Sequence, residues 1–350
     1  MFFKKEYTAF IHMGQAITSS QFYVYGRYVS TKTGYLKHVA QYTAKVQPCV
    51  YEPPSSTTSD GVSLSGLAVV VTGANSGIGL SVATYCAGKN ATVYLLCRSA
   101  VRAGEAVESI KKAVGNPAAD LRVVECDVGS MPSVRAAMAE VGRQQGGRPL
   151  HSVVCNAGVM NTKREVVDGL EQMLATHRVI GSYLLAKLAD PLMDQKEGRV
   201  VFVSSGGMYN SKFPSWGIAN SEPPTTYDGQ MAYVFAKRGQ VLLAERLTSD
   251  SGVKVVSCHP GWVDTPAVNA AYGESKKWLE PMRNGWEGAE GICHLVACSK
   301  SELVGGAFYL DREPQCKHIA GLFMTEGSAT KNSPVEVDAM LEKLKGVTGI

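Results

Sequence analysis

Thr72-Gly73-Ala74-Asn75-Ser76-Gly77-Ile78-Gly79 follows the apolar run 67–71 and reads as the end of a strand, a glycine turn and the start of a helix. Such a turn suits a dinucleotide, because a pyrophosphate is best held by free backbone N–H groups at a helix N-terminus, where the helix dipole also favours negative charge. Gly73 permits the sharp turn out of the strand, Gly77 the approach to phosphate, and Gly79 the close packing of helix on sheet. The spacing is G-x3-G-x-G rather than the commoner G-x-G-x2-G. Gly73, Asn75, Ser76, Gly77, Ile78 and Gly79 are the candidate cofactor contacts in this turn.

Outward from the turn, apolar runs at 67–71, 92–96, 121–125, 152–155, 199–203 and 253–258 alternate with helical stretches, and a seventh run lies at 306–310. Runs apolar on both faces and separated by crossover-length segments are what parallel strands covered by helices require. The expected fold is an α/β doubly wound parallel sheet, a Rossmann fold with helices on both faces, over residues 61–325, followed by a helical tail at 326–350. The loops 206–230 and 267–283 both follow strands, and ligands of such sheets sit at the carboxyl ends of strands, so these loops are the expected substrate walls.

A chain of 350 residues, 45% hydrophobic and 19% charged, can bury a full α/β core. No apolar run approaches the roughly 18 residues of a membrane span, and the N-terminus lacks a compact secretory h-region, so an intracellular and most simply cytoplasmic location is expected. Nine cysteines without paired C-x2-C spacing argue against a disulfide framework and against a metal site. Cys97, Cys126, Cys155 and Cys258 each end an apolar run and read as small buried residues.

A net charge of +4 is too small to suggest nucleic acid, but it is unevenly spread. Residues 1–50 carry six basic residues against Glu6, interleaved with Phe2, Phe3, Phe22, Tyr23, Tyr25 and Tyr28. The run Pro53-Pro54-Ser55-Ser56-Thr57-Thr58-Ser59 reads as a linker, so residues 1–60 are expected to be an attachment device, docking on an anionic membrane surface or on a protein. The alternative is that they fold back over the domain's own apolar surface.

Tyr233 and Lys237 stand four apart, one helical turn, and so share a face. The same Tyr-x3-Lys spacing recurs at Tyr28/Lys32, Tyr85/Lys89, Tyr183/Lys187 and Tyr272/Lys276, so context must choose. Only Tyr233/Lys237 starts a helix between the strand ending Val203-Ser204-Ser205 and the one leading to His259-Pro260-Gly261-Trp262-Val263-Asp264-Thr265. With this pair, Thr72-Gly73-x3-Gly77-x-Gly79, Asp127 after the third strand, Asn156-Ala157-Gly158 after the fourth, and Pro260-Gly261 with Thr265 after the sixth, the chain resembles the short-chain dehydrogenase/reductase family over roughly residues 65–312.

The resemblance implies an oxidoreductase that moves a hydride between a nicotinamide and a carbonyl or alcohol. It implies that Tyr233 is the acid/base, that Lys237 lowers its pKa and binds the nicotinamide ribose, and that Ser205, the second serine of its pair, hydrogen-bonds the substrate oxygen. Asn156, Ala157 and Gly158 would run along the cofactor, Asp127 near adenine, and Pro260, Gly261 and Thr265 around the nicotinamide amide and phosphates. Where an acidic residue would select NAD, Cys97-Arg98-Ser99 stands instead, and a guanidinium pairs with phosphate, so NADP(H) is favoured over NAD(H). The family's asparagine on the helix after the fourth strand, the anchor of a proton-relay water, is missing: His177 or Arg178 takes its place, and a histidine there would relay protons. Phe213, Trp216, Tyr272 and Trp278 in the two wall loops suggest an apolar small-molecule substrate. The competing reading is a low-turnover NADP(H)-binding regulatory or scaffolding protein of the same fold.

Overall fold

The strands of the sheet are apolar on both faces, and alternate residues feed opposite layers. In β1 (Ala68–Thr72), Val70 joins Tyr94, Val153 and Val200 in one core cluster, while Val69 and Val71 join Val93, Val154 and Val201 in the other. This computed structural model describes residues 20–42, 63–222, 227–250, 252–320 and 325–350. The expected linker and the pair Phe2 and Phe3 lie outside the described residues.

The remaining strands of the main sheet are β2 (Thr92–Cys97), β3 (Leu121–Glu125), β4 (Ser152–Cys155), β7 (Arg199–Val203), β8 (Lys254–His259), β9 (Phe308–Leu310) and β10 (Glu313–Gln315), with a short separate hairpin of β5 (Val166–Val167) and β6 (Leu170–Glu171). Their order is β10-β9-β8-β7-β4-β1-β2-β3, all parallel except β10. The order reverses between β1 and β4, which opens a crevice at the carboxyl ends of those two strands. All seven expected strands form; β10, only three residues long and carrying Pro314, gives no apolar run to read.

Helices cover both faces. α3 (Gly77–Gly88), α4 (Ala100–Val114) and α9 (Gly285–Ala297) lie on one; α5 (Met131–Gln145), a composite α6 over residues 172–189, α7 (Gly229–Asp250) and α10 (Pro334–Thr348) lie on the other. α8 (Pro266–Tyr272) follows β8.

Two ends of the chain close onto this core. α10, started by a Ser333/Glu336 capping box, inserts Val337, Met340 and Leu344 among the side chains of α5 and α6. Tyr183 Oη donates to the Ile350 carbonyl at 2.8 Å, so the expected tail is packed core. At the other end, α1 (residues 20–29) and α2 (Lys32–Val39) lie along the loops that follow β7 and β8. Phe22 stacks on Tyr209, Tyr23 stacks on Trp262, and Tyr25 meets Tyr209 edge-on. The buried pair Arg283–Asp311 and a contact from His38 to Asp311 lock the segment down. The attachment role expected of these aromatics is therefore corrected for Phe22, Tyr23 and Tyr25: burying their rings against Tyr209 and Trp262 is the fold-back alternative.

Leu344 is fully buried in the first cluster. Leu344→Ala should cost about 2–5 kcal/mol of unfolding free energy, whereas Val335→Ala, on the exposed side of α10, should stay within about 0.5 kcal/mol. Urea unfolding followed by circular dichroism checks both.

Candidate active site

The glycine turn is built as a phosphate cradle. Gly73 and Gly77 adopt φ of 64° and 54°, conformations that strain any residue with a Cβ. A Cβ on Gly79 would lie 2.4 Å from the Gly73 carbonyl oxygen and 2.5 Å from Asn156 Nδ2, so Gly79 lets α3 press on the sheet and stands behind the cavity. Ser76 caps α3 without a side-chain hydrogen bond, which leaves the first N–H groups of the helix free. Thr72 Oγ1 accepts from the backbone N–H groups of Asn156 and Ala157 at 3.0 and 2.9 Å, and Asn156 Nδ2 donates to the Thr72 carbonyl. That lattice fixes the ends of β1 and β4 at the point where the strand order reverses.

A cavity of about 320 Å³ occupies this crevice. Gly73, Asn75, Ser76, Gly77, Ile78, Arg98, Asp127, Asn156, Ala157, Gly158 and Thr265 all line it. A nicotinamide dinucleotide fits this wall: free helix N–H groups and glycines at one side, cations at the end of β2. The wall also contains Arg102, which the sequence reading missed. Arg102 stands one turn after Arg98, and its backbone N–H is capped by the Ser99 hydroxyl that starts α4. Two guanidinium groups at a helix N-terminus with no acidic residue in its first turn was the signal available.

Pro260, Gly261, Tyr233 and Lys237 lie outside that wall, on the neighbouring loop and on α7. Ser205 faces Tyr233 and opposes the upward push of burial on its phenol, and Ser205 Oγ accepts from the Gly207 N–H at 3.2 Å. Ser204 is turned away: its hydroxyl donates to the Lys237 carbonyl within the core. Lys237 is buried, its Nζ donates to the Val203 carbonyl at 2.7 Å, and it lies 5.5 Å from the Tyr233 ring centre. Of the Tyr-x3-Lys pairs, Tyr233/Lys237 is the one set against Ser205 among the described residues. The Tyr183 hydroxyl bonds the C-terminus, and Lys276 pairs with Asp264.

His177 and Arg178, the two candidates for the missing asparagine's place, point in different directions. Residues Ala175–Leu184 wind as a π-helix inside α6, with the Ser182 hydroxyl donating to the His177 carbonyl. Gly181 permits this turn, since a Cβ there would sit 2.0 Å from the Thr176 carbonyl oxygen. His177 meets the Tyr233 ring edge-on at 5.4 Å. Its Nε2 lies 2.7 Å from the Val159 carbonyl oxygen, and its buried Nδ1 has no partner. Arg178 points elsewhere, its guanidinium 3.6 Å from the Phe213 ring centre and near Trp216. Burial and the neighbouring Lys237 push the His177 imidazole well below the usual histidine range, so it is neutral.

A second cleft is lined by Met160, Asn161, Thr162, Tyr227, Asp228, Gly229, Gln230, Ala271 and Tyr272. The ends of both expected wall loops contribute, and the segment 160–162 after β4 was not foreseen. Of the four aromatics expected as walls, Tyr272 lines it. Phe213 and Trp216 are corrected: both hold Arg178. Trp278 is corrected too; its ring is exposed, and its carbonyl accepts from Tyr23 Oη and Arg27.

The comparisons with known proteins agree with this geometry. The family description "short chain dehydrogenase" matches residues 67–217. "Dehydrogenase/reductase SDR family member 12" of Bos taurus is 34% identical over 293 residues, spanning 81% of this chain and 87% of that protein. The chain belongs to the short-chain dehydrogenase/reductase family. Its fellow members act on alcohol or carbonyl groups with NAD(P), and this chain is such an enzyme. Retinol dehydrogenase 12 of Homo sapiens is 31% identical over 259 residues, covering 71% of this chain and 79% of that one. The solved angucycline C-6 ketoreductase LanV with bound NADP shares the fold at a TM-score of 0.58 and 23% identity, over 71% of this chain and 95% of that one. Among the described residues, no helix is long and apolar enough to cross a membrane, and no group of three or more His, Cys, Asp or Glu could hold a metal.

The pair's titration is testable without substrate. Desolvation pushes the Tyr233 phenol up to about 12 and the Lys237 ammonium down to about 7 from 10.5. Between pH 7 and 10.5 the unfolded chain therefore holds a proton at Lys237 that the native state has released, so this group's contribution to stability rises with pH across that window. Tyr233 acts oppositely, but only above its unfolded value near 10. The unfolding free energy of the wild type relative to Lys237→Met should climb from pH 7 to 10, measured by urea titrations at fixed salt. A difference that stays flat would mean that the native ammonium is charged throughout.

Proposed function

We propose that this short-chain dehydrogenase/reductase is an NADP(H)-dependent carbonyl reductase or alcohol dehydrogenase, with Tyr233, Ser205 and Lys237 as its catalytic residues. The observation that carries this reading is the Tyr233 phenol set against Ser205, with Lys237 and His177 behind it, beside a cavity lined by the glycine turn. A bound nicotinamide supplies the hydride in reduction and accepts it in oxidation. Tyr233 gives its proton to the carbonyl oxygen in reduction and takes it back from the alcohol in oxidation. The Ser205 hydroxyl favours the phenolate by hydrogen bonding to it and steadies the substrate oxygen. Below its pKa near 7 Lys237 is charged and favours the phenolate further.

His177 takes the place of the missing asparagine as a neutral acceptor. Nε2 faces both the carbonyl and the N–H of Val159, at 2.7 and 3.2 Å, and in the tautomer that donates Nε2–H to the carbonyl the unpartnered Nδ1 is the natural anchor for a water between Lys237 and solvent. A relay that depends on imidazolium formation is set aside, because desolvation keeps this ring neutral.

The substrate is a small molecule with a carbonyl or alcohol and an apolar body, a reading supported by the likeness to retinol dehydrogenases and by Met160, Ala271 and Tyr272 in the cleft. We place the enzyme in the cytoplasm, where the outward face of α1 and α2 suits contact with an anionic membrane: Val24, Tyr28 and Leu36 are exposed there, and Lys37 lies over the Tyr28 ring.

Two experiments test this function. With a panel of aldehydes and ketones, NADPH oxidation should be measurable, and Tyr233→Phe should lower kcat by roughly 10²- to 10⁴-fold while NADPH still binds. His177→Asn should keep turnover and His177→Leu should slow it, with the pH profile of the wild type flat through the ordinary histidine range. Wild type and Tyr233→Phe equally inactive across the panel would favour the low-turnover scaffold instead. For the cofactor, NADPH should bind more tightly than NADH. Arg98→Asp combined with Arg102→Ala should reverse that order, each lost charge-assisted contact being worth about 1.5–3 kcal/mol; equal affinity of the wild type for both cofactors would overturn the assignment.

A further inference from the structure

The loop Pro260–Thr265, whose last residue lines the cofactor cavity, is held chiefly from outside the sheet. The Trp262 N–H donates to the Ser30 carbonyl at 2.8 Å, and Arg283 donates its own N–H to the Trp262 carbonyl at 2.7 Å. The buried Arg283 guanidinium then bridges the two chain segments: Nε donates to the Ser30 carbonyl at 3.0 Å, Nη2 to the Val29 carbonyl at 3.0 Å, and Nη1 lies 3.4 Å from the Pro260 carbonyl. Both terminal nitrogens also pair with buried Asp311, which takes a further contact from His38. Gly261, at φ 82°, lets the guanidinium rest on the loop's backbone; a Cβ there would lie 2.2 Å from Arg283 Nε.

α1 meets the catalytic side of the same loops. Gly26 faces the Trp262 indole so closely that a Cβ would come within 2.5 Å of it. The tip of the Phe22 ring would touch a Cβ on Gly206 at 2.4 Å, and Gly206 follows Ser205 directly. His259, the last residue of β8, shares a 3.1 Å hydrogen bond with the Ser30 hydroxyl. Hence the loop bearing Ser205 and the loop bearing Pro260, Gly261 and Thr265 share one backing, residues 22–30.

We propose that the N-terminal segment is a strap belonging to the active site: Gly26, Ser30 and Arg283 position the Pro260–Thr265 loop for the cofactor, and Phe22 positions the Ser205 loop for the chemical step. The strap rests on the hydride-transfer reading above, since it gives these loops their purpose. Its residues are positioning residues; none of them touches the reacting atoms. Because the backing for two loops is continuous, a disturbance at α1 reaches the cofactor site without altering any residue that lines it.

Gly26→Ala is the discriminating variant in the full-length chain. The added methyl presses on the Trp262 indole, so a lower melting temperature is expected whatever the role of α1, and a purely structural role predicts unchanged cofactor affinity in the folded protein. A strap predicts that the added methyl displaces Trp262, raises the NADPH dissociation constant by about tenfold, or 1.4 kcal/mol, and speeds amide hydrogen exchange over residues 260–266. Phe22→Ala should lower kcat with little change in NADPH affinity, and Phe22→Leu, which restores apolar bulk, should recover most of it. Val24→Ala and Tyr28→Ala, on the same helix but 69% and 71% exposed, should match the wild type in all three measurements. Wild-type NADPH affinity and exchange in Gly26→Ala would overturn the strap, as would equal losses in the Val24 and Tyr28 variants. Failure of the wild type to bind NADPH or NADH would instead overturn the hydride-transfer reading itself.

Discussion

A tyrosine and a lysine deprived of water stand at the centre of this structure. Both are driven toward their neutral forms, the phenol up and the ammonium down, by the same desolvation. Neutrality is the wrong state for abstracting a proton from an alcohol, so the surroundings must restore what burial removes. Ser205 does so for the phenol with a hydrogen bond, and the Val203 carbonyl does so for Lys237 by accepting from its Nζ. For Lys237 burial still wins, against a smaller opposing pull from Cys258, and the ammonium sits near 7. A small change of environment there moves a full charge, which is the property wanted of a group that tunes its neighbour.

The π-helical stretch of α6 brings a further group against the same phenol. A regular helix advances 100° per residue, and one extra residue per turn rotates the side chains that follow onto a different face. Here His177 meets Tyr233, while Arg178 stacks on Phe213 and Trp216 in the core. From the sequence the two residues were equivalent candidates, because a local change in helical register leaves no mark in composition. Gly181 is the trace that could have been followed, since the π turn needs it at that point.

Elsewhere the chain was readable where local physics and tertiary structure agree. Parallel strands buried on both faces demand apolar runs, and the glycine turn demands its glycines, so the sheet and the cradle could be placed within a residue or two. The short edge strand β10 could not, having neither length nor apolar character. Side-chain destinations were harder still. Phe213 and Trp216 belong to a loop correctly placed, yet their rings face a buried guanidinium rather than the cleft, and nothing in an aromatic residue's own chemistry distinguishes those partners.

The N-terminal segment shows why composition misled. Interleaved aromatic and basic residues describe a surface that seeks apolar and anionic partners, but composition does not say whose. Within this chain both kinds of partner exist: Tyr209 and Trp262 present rings, and Asp311 and Glu287 present carboxylates to His38 and Lys32. An intramolecular partner is held at high effective concentration by the chain itself. The Arg283–Asp311 pair then makes the docking costly to undo, because removal of the strap would take away the Ser30 and Val29 carbonyls and leave buried guanidinium donors unsatisfied. Contacts that read as a means of attachment to something else therefore fix the extension to the two loops on which the proposed chemistry depends.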